Sequence, residues 1–496
     1  MAEENSNVLD RAITYVSPSW GRKRAASRVA VNALYEAGVP SRVRRNKTRP
    51  ESGDIAVARA GTRIRDNARY LEQNLDIAKG ALDVLEANIV GTGVRPEPGV
   101  MTLAGEPAEE LNLQISALFK HWSKSPEVTG EMNLAQYQKL VVRSTLRDGD
   151  LFTRTITGST GGLTRRVSVG GKMQDVGVPF WLQGLEADFV DLQNTKADQG
   201  IYQGIKLDQW QRPISYEIYP NHPSGLVQAG QMISVPAEQM IHSKMIQRFG
   251  QIRGVSLFAH VINRLDDIKE IDETERVAAR VAAAMAAYIK KGSPDNYDSE
   301  NGGEYRNMDI APGMIFDDLD EGEEIGTISS NRPNNALIPF RDAQLRSAAA
   351  GLGVSYSSLS KNYNGTYSAQ RQELVEQYGS YGILWSYFAN HSFQRIYEQF
   401  INAAISARLL NVSGVDMLTL YACTHSRPPL VWIDPVKEVK ANKELRDNNW
   451  KSDGQIIRDR GDDPAETWKQ IQRDAEAQKT AGIVTDDETT NPVPTE

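Results

Sequence analysis

The stretch from Leu337 to Glu373 constrains this chain more than any other part of its sequence. It opens with apolar residues at helical spacing, which predicts a helix. These residues are Phe340, Ala343, Leu345, Ala348 and Leu352. Gly351 and Gly353 end that helix, because glycine tolerates the left-handed turn that closes a helix. Ser355–Thr366 is then so rich in Ser, Asn and Tyr that it is predicted to be a loop facing solvent, and a second, long helix follows it.

Length and composition are those of an ordinary soluble protein. The chain has 496 residues, of which 40% are hydrophobic and 24% charged, enough for about two to four domains with a buried core. Its N-terminus carries acidic residues and lacks the apolar core of a signal peptide, which predicts that it is not exported. The longest alanine-rich apolar run, Val281–Ile289, is far shorter than the roughly 20 residues that cross a bilayer, so no membrane contact is expected. A single cysteine, Cys423, excludes an intramolecular disulfide and fits a reducing, cytoplasmic setting.

The order of segments before residue 254 predicts helices followed by strands. Apolar residues step by three and four from Ile55 to Ile89, and shorter helices are predicted at Pro107–Trp122 and Leu134–Leu146. From Leu151 to Ile241, β-branched and aromatic runs alternate with Gly, Pro and Asn, which predicts strands. The runs are Leu151–Ile156, Arg165–Val169, Phe180–Gln183, Ile214–Tyr219 and Met232–Val235. Gly158–Gly162 lacks the Lys and Ser/Thr of a phosphate loop and is predicted to be a hairpin tip.

The second half of the chain is predicted to be mainly helical. Gly254–Lys291 is predicted to be one long helix, dominated by alanine towards its end. In a monomer this would be a buried core helix, whereas in a ring identical helices would pack side by side there. Gly292–Asn335 is too long for an ordinary connection between helices, which suggests a functional or partner-binding insertion with short strands near 314–316 and 324–328. Tyr367–Leu410 is a long helix expected to kink near Gly379 or Gly382. The remaining predicted elements are a strand at Leu430–Ile433, helices at Val436–Trp450 and Pro464–Ala481, and a disordered tail over Thr485–Glu496.

The acidic segment over residues 317–324 is the most conspicuous cluster of charge. Six of its eight residues are acidic, namely Asp317, Asp318, Asp320, Glu321, Glu323 and Glu324. A calcium loop would need a closing Glu in a defined frame, and a two-metal nuclease would need carboxylates from separate elements. We therefore predict no metal site, and interpret the segment as an acidic turn that repels DNA or docks a basic partner.

No catalytic motif is present in the sequence. The six histidines lie apart, without H-E-x-x-H spacing, and the sequence contains no Gly-x-Ser-x-Gly, Walker or dinucleotide signature. Cys423 and His425 could be imagined as a thiol and its base, but strand alternation places both on one face for packing reasons alone. The sequence thus predicts that the protein has no catalytic residue, needs no cofactor and is not an enzyme.

The N-terminal fifty residues carry ten basic and four acidic residues, in a chain whose formal charge is −8. The densest basic cluster consists of Arg42, Arg44, Arg45, Lys47 and Arg49. It is either a solvated, partly ordered arm or an arm that contacts nucleic acid or an acidic neighbouring subunit.

One segment of Leu337–Glu373 resembles the signature region of tailed-phage portal proteins of the lambda family. Its sequence is AAGLGVSYSSLSKNYNGTYSAQRQ. Three other islands agree with that family in order and spacing. They are Phe249–Ser256; the segments Pro312–Phe316, Gly322–Ile325 and Asn331–Pro333; and Ile433–Glu438. Together the islands cover most of the chain from about residue 56 to 482.

The resemblance implies a mainly helical α+β portal fold with a wing, stem, clip and crown, a β-rich section in the wing, and a ring typically of twelve subunits. It divides the chain into a basic arm 1–54, wing 55–253, stem helix 254–291, clip 292–334, second stem helix 335–353, channel loop 354–366, long helix and wing return 367–435, crown 436–482 and a disordered tail 483–496.

The resemblance also implies roles for particular residues. Lys361, Asn362, Tyr363 and Asn364 would contact DNA in the channel, and Ala279, Ala283 and Ala286 would pack stem helices together. The protein would nucleate head assembly, dock the terminase large subunit, pass and retain double-stranded DNA, and connect head to tail. Its further partners would be capsid, scaffolding and head-completion proteins, and its location the virion, or the host cytoplasm during assembly. The net negative charge permits this role, because a channel wall should repel phosphates rather than hold them.

Two other functions stay open from the residues alone. The first is a metal-dependent hydrolase that uses the acidic segment 317–324. The second is a helical adaptor that binds a protein partner without forming a ring.

Overall fold

The computed structural model describes most of the chain from residue 51 onwards. The described residues are 51–158, 163, 166–169, 172–175, 177–283, 287–290, 324–327, 337–429 and 435–481. The helices within them are α1 Gly53–Asn74, α2 Asp76–Ile89, α3 Glu109–Trp122, α4 Leu134–Asp148, α5 Ile262–Ala283, α6 Leu337–Leu352, α7 Tyr356–Ser360, α8 Tyr367–Tyr387, α9 Gln394–Ser406, α10 Pro435–Asp447, α11 Asp453–Asp459 and α12 Pro464–Thr480. The strands are β1 Pro96–Pro98, β2 Asp150–Thr157, β3 Arg166–Val169, β4 Lys172–Asp175, β5 Phe180–Glu186, β6 Ile201–Tyr202, β7 Ile205–Leu207, β8 Pro213–Ile218, β9 Ile233–Pro236, β10 Met240–Lys244, β11 Ala287–Lys290, β12 Glu324–Thr327 and β13 Cys423–His425. The predicted α+β class, with strands concentrated between two helical regions, is confirmed.

The described strands pair in antiparallel fashion. β10, β2 and β5 form a three-stranded sheet with β2 in the centre, and β6 to β9 form a four-stranded meander. Two-stranded ribbons join β3 to β4, β11 to β12, and β1 to β13. The last ribbon brings residues 96–98 against 423–425, so the early helices and the chain after α9 belong to one packed unit.

The largest core cluster lies where α1 to α4 pack against α8, α9 and the three-stranded sheet. Trp122 is fully buried at its centre, where its ring stacks on Phe180 and packs against Phe400, with centroid distances of 5.4 and 5.2 Å. Its indole N–H donates to the Phe180 carbonyl oxygen at 2.7 Å, so the polar atom of this large side chain is satisfied. A smaller cluster fills the space between β2 and the meander. No described helix has the length and apolar character of a membrane span.

The helix predicted over Ile55–Ile89 is two helices, because Leu75 adopts an extended backbone between α1 and α2. The next two helices lie close to their predicted positions. α4 begins with a capping box, in which Asn133 and Gln136 each bond the other's backbone N–H through their side chains. It ends at Gly149, whose φ of 92° suits glycine.

The prediction of one helix over Gly254–Lys291 is wrong at both ends. The helix begins only at Ile262, after a 3-10 turn at Leu257–His260 that the Ser256 hydroxyl caps. At the other end, residues 287–290 form β11, which pairs with β12. Long-range strand pairing outweighs the local helical preference of the alanines before it.

The long helix predicted over Tyr367–Leu410 is interrupted, but not at a glycine. α8 continues through Gly379 and Gly382, and a π-helical segment, Phe388–Phe393, joins it to α9. The expected kink at either glycine is therefore wrong.

The π-helical segment lies against the outer edge of β10. The Ser392 and Ser243 hydroxyls are 2.7 Å apart, and the Tyr387 hydroxyl at the end of α8 accepts from Lys244 N at 2.8 Å and donates to Lys244 O at 2.6 Å. These contacts satisfy an edge strand that would otherwise present unpaired backbone groups. The position of the π-helical segment thus follows from its tertiary contacts with β10 and not from a helix-breaking residue.

Candidate functional site

The predicted polar loop over Ser355–Thr366 is in part a helix. α6 ends with Gly353 at a φ of 67°, and the Ser355 hydroxyl then accepts from Ser358 N at 3.1 Å, which caps α7. Leu359 is buried and anchors this short helix to the core. The exposed loop is therefore shorter than predicted and runs from Lys361 to Thr366.

The loop Lys361–Thr366 is held by its own hydrogen bonds. Lys361 stands in the left-handed backbone region with a φ of 56°, which turns the chain sharply out of α7. Asn364 N donates to the Asn362 side-chain oxygen at 3.2 Å, and the Thr366 hydroxyl caps α8 by accepting from Ala369 N at 3.3 Å. The loop therefore has a defined conformation.

The ends of the loop are fastened to both flanking helices. Ser357 on α7 donates from its backbone N–H and its hydroxyl to the Glu373 carboxylate on α8, at 3.1 and 2.5 Å. Gln370 on α8 donates its side-chain amide to the Tyr363 carbonyl oxygen. α7, the loop and the start of α8 thus form one hydrogen-bonded hairpin.

The tip of this hairpin is polar and basic. Lys361, Tyr363 and Asn364 are exposed, and Asn362 is half-buried. The charged side chains of the hairpin are Lys361, Arg371 and Glu373, and the Glu373 carboxylate is the one bonded to Ser357. All four residues predicted to contact DNA lie in this loop. Lys361 directly follows the last residue of α7.

The predicted stem helices are neighbours in the structure. α5 and α6 pack together, and the Arg341 guanidinium on α6 binds the Asp272 carboxylate on α5 through two nitrogens at 2.9 and 3.0 Å. Ala279 on α5 is exposed, Ala283 lies in the last turn of α5, and Ala286 lies outside the described residues.

Two other predicted sites fall largely or wholly outside the described residues. The basic cluster of Arg42, Arg44, Arg45 and Lys47 lies outside them, as do Asp317, Asp318, Asp320, Glu321 and Glu323 of the acidic segment. Glu324 is the first residue of β12, where it pairs with Lys290 on β11.

Sequence reasoning missed a buried ionic clamp between the β-rich section and the entry to α5. Arg253 is fully buried, and its Nε donates to the Asp150 carboxylate at 2.6 Å. Its remaining guanidinium nitrogens donate to three backbone carbonyl oxygens at 3.0 to 3.1 Å, those of Val190, Gln203 and Ala187. The sequence signal for this clamp is the Arg253–Gly254 pair within Phe249–Ser256, a segment whose resemblance to the family does not by itself indicate a buried arginine.

Gly254 and His242 complete the clamp on the Asp150 side. Gly254 N donates to the Asp150 carboxylate at 2.5 Å, and a Cβ at this position would lie 2.0 Å from the Gly149 carbonyl oxygen, so only glycine fits. Burial opposes ionisation of Asp150, but the Arg253 guanidinium and His242 outweigh it and hold the pKa of Asp150 well below its usual range. Burial also lowers the pKa of His242 to about 4, so this ring is neutral at physiological pH.

One group of described side chains brings three possible metal ligands together, namely Glu186, Asp188 and His222. Arg69 already donates to Asp188 at 2.6 Å, which compensates the carboxylate charge. His222 Nδ1 accepts from Ser224 N at 3.1 Å, so in the neutral ring the proton is on Nε2, the nitrogen that faces the carboxylates. A protonated nitrogen cannot bind a metal. We therefore interpret the group as an ion-pair network.

Cys423 and His425 lie side by side on β13, with 3.6 Å between Sγ and Nε2, and both contact the Gln394 side-chain oxygen. Burial raises the pKa of the Cys423 thiol to about 12 and lowers the pKa of His425 to about 4. A nucleophilic pair needs a thiolate beside an imidazolium, and both shifts run in the opposite direction. The pair is part of the packing between β13 and α9.

Comparison with known families decides the class of the protein. A family model described as phage portal protein, lambda family, matches residues 40–383, more than half of the chain. The chain belongs to the lambda family of phage portal proteins. The resemblance drawn from the sequence is confirmed, and the chain is a structural component of the phage head-to-tail connector rather than an enzyme.

Individual relatives agree with this assignment. The chain is 22% identical over 443 residues to a probable portal protein of Halomonas phage phiHAP-1, which covers 85% of this chain and 81% of that protein. It is 24% identical over 263 residues to portal protein B of Escherichia phage lambda, over 47% of this chain and 49% of the other. Among solved structures, it is similar to a chain from the neck of a native GTA particle computed with C12 symmetry, at 10% identity and a TM-score of 0.43, over 79% of this chain and 92% of that one.

Proposed function

We propose that copies of this chain close into a ring, typically of twelve, at one vertex of the phage head, and that double-stranded DNA passes through its central channel. Membership of the portal family supports the place of the protein in the connector. The observation that supports the DNA contact is the exposed, basic loop Lys361–Thr366, which is fastened at both ends to helices.

In this proposal, Lys361 and the neighbouring Asn362, Tyr363 and Asn364 touch the phosphate backbone without reading sequence. A single lysine per subunit gives weak local attraction, and repetition around a ring gives a belt of positive charge. Weak contacts suit a channel, because DNA must slide through it and still be retained. The hydrogen bonds of the hairpin support this role, since they fix the backbone from which the lysine projects.

The remaining parts of the chain take roles that the family resemblance implies. Residues 55–253 would be the wing, and α5 with α6 the stem, where Ala279, Ala283 and Ala286 let neighbouring subunits approach closely. Residues 292–334, with their acidic segment, would be the clip that docks the terminase large subunit and later the head-completion proteins. The helices after residue 435 would be the crown, and the basic N-terminal arm would contact DNA or a neighbouring subunit. The assembled ring would nucleate head assembly together with capsid and scaffolding proteins in the host cytoplasm.

The ring is tested by the mass and shape of the purified protein. We expect native mass spectrometry and negative-stain imaging to show a closed ring of about a dozen chains with a central hole. A protein that stays monomeric in the presence of its scaffolding protein would contradict the proposal.

The DNA contact is tested by reversing the charge of Lys361. We expect Lys361→Glu to give particles that assemble in normal numbers but package or retain DNA poorly, because phosphates are repelled at the belt. Lys361→Arg keeps the charge and serves as the control. A normal titre with full-length genomes for Lys361→Glu would remove this loop from the proposed channel.

A further inference from the structure

Helix α8, which carries the loop at its N-terminal end, packs against the core through Tyr381, Leu384, Trp385 and Tyr387 in its second half. Among its described side chains Tyr381 alone is buried. Polar contacts add to this packing at the two ends of the helix, to Ser357 through Glu373 and to Lys244 through Tyr387. Between these ends a third contact lies at Gly382.

The third contact is made by residues 426–429, which we call the strap. Arg427 of the strap lies in the gap that Gly382 leaves on α8, with its guanidinium carbon 3.7 Å from the centroid of the Tyr378 ring. One guanidinium nitrogen donates to the Tyr378 carbonyl oxygen at 2.5 Å, and the Trp385 indole N–H donates to the Ser426 carbonyl oxygen at 3.2 Å. A Cβ at position 382 would lie 2.7 Å from the Arg427 guanidinium, so the glycine is what admits the arginine.

The strap also contacts the C-terminal helices. Pro429 lies against Gly461 between α11 and α12, where an added Cβ would be 3.1 Å from the proline ring. Among the described residues of these helices, the buried ones are Gly454 of α11 and Pro464 of α12. Two ion pairs near the surface add to the attachment, Arg458 with Glu97 at 2.8 Å and Lys120 with Glu466 at 2.5 Å. Exposed pairs of this kind contribute little to stability, which gives more weight to the packing of Pro429 on Gly461.

We infer that Arg427 is a positioning residue that holds the strap on the loop-bearing helix α8 and so, through Pro429 of the strap, ties α8 to α11 and α12. DNA that displaces the loop Lys361–Thr366 moves α8, and the Arg427 contact passes that movement to the C-terminal helices. The second statement rests on the proposed DNA contact of the loop, whereas the first rests on the contacts of the strap with Gly382 and Gly461.

The two glycines of α8 provide a matched test. Gly382→Ala inserts a methyl group against a flexible guanidinium, which must leave the gap, while the helix backbone stays in place. Gly379→Ala makes the same change one turn earlier, where no described atom lies within 4 Å of the added methyl group. Both changes favour the helix to the same degree, so they differ only in the Arg427 contact. Arg427→Lys, which keeps the charge but loses the planar group, is the second variant.

The readout is hydrogen exchange of the full-length protein, measured by mass spectrometry with and without a double-stranded DNA fragment. We expect Gly382→Ala and Arg427→Lys to speed exchange in residues 453–480 by on the order of ten-fold, and Gly379→Ala to leave it unchanged. In the wild type, DNA should alter exchange both in the loop and in residues 453–480. In Gly382→Ala only the loop should respond.

The outcomes separate the two proposals. Equal exchange in residues 453–480 for Gly382→Ala and Gly379→Ala would overturn the role of Arg427. A Gly382→Ala protein whose C-terminal helices still respond to DNA would overturn the transmission of movement. If DNA leaves exchange of the wild-type loop unchanged, the proposed DNA contact fails, and the comparison of the two alanine variants still decides the role of Arg427.

Discussion

Replacing Arg253 with methionine should be among the most damaging single changes in this protein. The substitution keeps an unbranched side chain but leaves the buried Asp150 carboxylate without its guanidinium partner, 2.6 Å away in the native structure. Breaking a buried ion pair costs about 3–5 kcal/mol. Three carbonyl oxygens also lose their donor, and each buried group left unpaired costs about 1–3 kcal/mol before the structure relaxes. We therefore expect a loss of at least about 5 kcal/mol, comparable with the whole stability of many domains.

The assay is urea unfolding followed by tryptophan fluorescence, with Arg212→Met as the control. Arg212 pairs with Asp208 at 2.8 Å in an exposed hairpin nearby, and its loss should leave the unfolding midpoint unchanged. The double variant Asp150→Asn, Arg253→Met should lose less than the sum of the two single variants, because the unpaired charge is removed with its partner. A loss below about 1 kcal/mol for Arg253→Met, or strictly additive losses, would refute the interpretation of this cluster as an ionic clamp.

Three further predictions concern pH, the thiol and the stem. Burial lowers the pKa of both His242 and His425 to about 4 in the folded protein. The free energy of unfolding should therefore be highest above the unfolded pKa of about 6.5 and fall by up to about 3 kcal/mol for each ring as the pH drops to 4. Melting temperatures from pH 7.5 to 4.5 test this, and a flat profile would contradict it. Because partial burial raises its pKa to about 12, the half-buried Cys423 should react with a thiol reagent at pH 8 far more slowly than a free cysteine until denaturant is added, and rapid labelling of the native protein would contradict the raised pKa. Arg341→Leu breaks a half-exposed pair with Asp272 and should cost the isolated chain only about 0.5–1 kcal/mol, as measured by urea unfolding, and a much larger loss would show that the α5–α6 contact depends on this pair.

Much of the local structure could be predicted from the sequence. α4, α6 and α12 lie within two residues of their predicted bounds, because each carries an apolar stripe or capping residues that act within a single helix. Five strands of the β-rich section, β2, β3, β5, β8 and β9, also lie near their predicted positions, because their β-branched and aromatic runs are bounded by Gly, Pro and Asn. The strands β4, β6, β7 and β10 were not predicted. The family could likewise be inferred from four short islands of sequence in a fixed order, and the family match confirmed it.

The sequence did not reveal the roles of the glycines in α8. From its neighbours along the chain alone, Gly382 was predicted to be a site where the helix kinks. In the structure it makes room for Arg427, which lies 45 positions further on. The π-helical segment has the same kind of cause, since it is placed by contacts with β10, about 150 residues earlier in the chain.

By itself, the sequence determined the family of this protein, its α+β class and most of its helices, because periodicity, caps and motif order are properties of neighbouring residues. Only the tertiary structure decided where α5 begins, that residues 356–360 form a helix inside a polar stretch, and that Arg253 is a buried clamp. Each of these depends on contacts between residues far apart in the chain, whose free energy exceeds the small differences in local preference. The loop Lys361–Thr366 depends on both local sequence and tertiary contacts. Its polar composition can be predicted from the sequence, whereas its fixed conformation comes from the two helices that hold it.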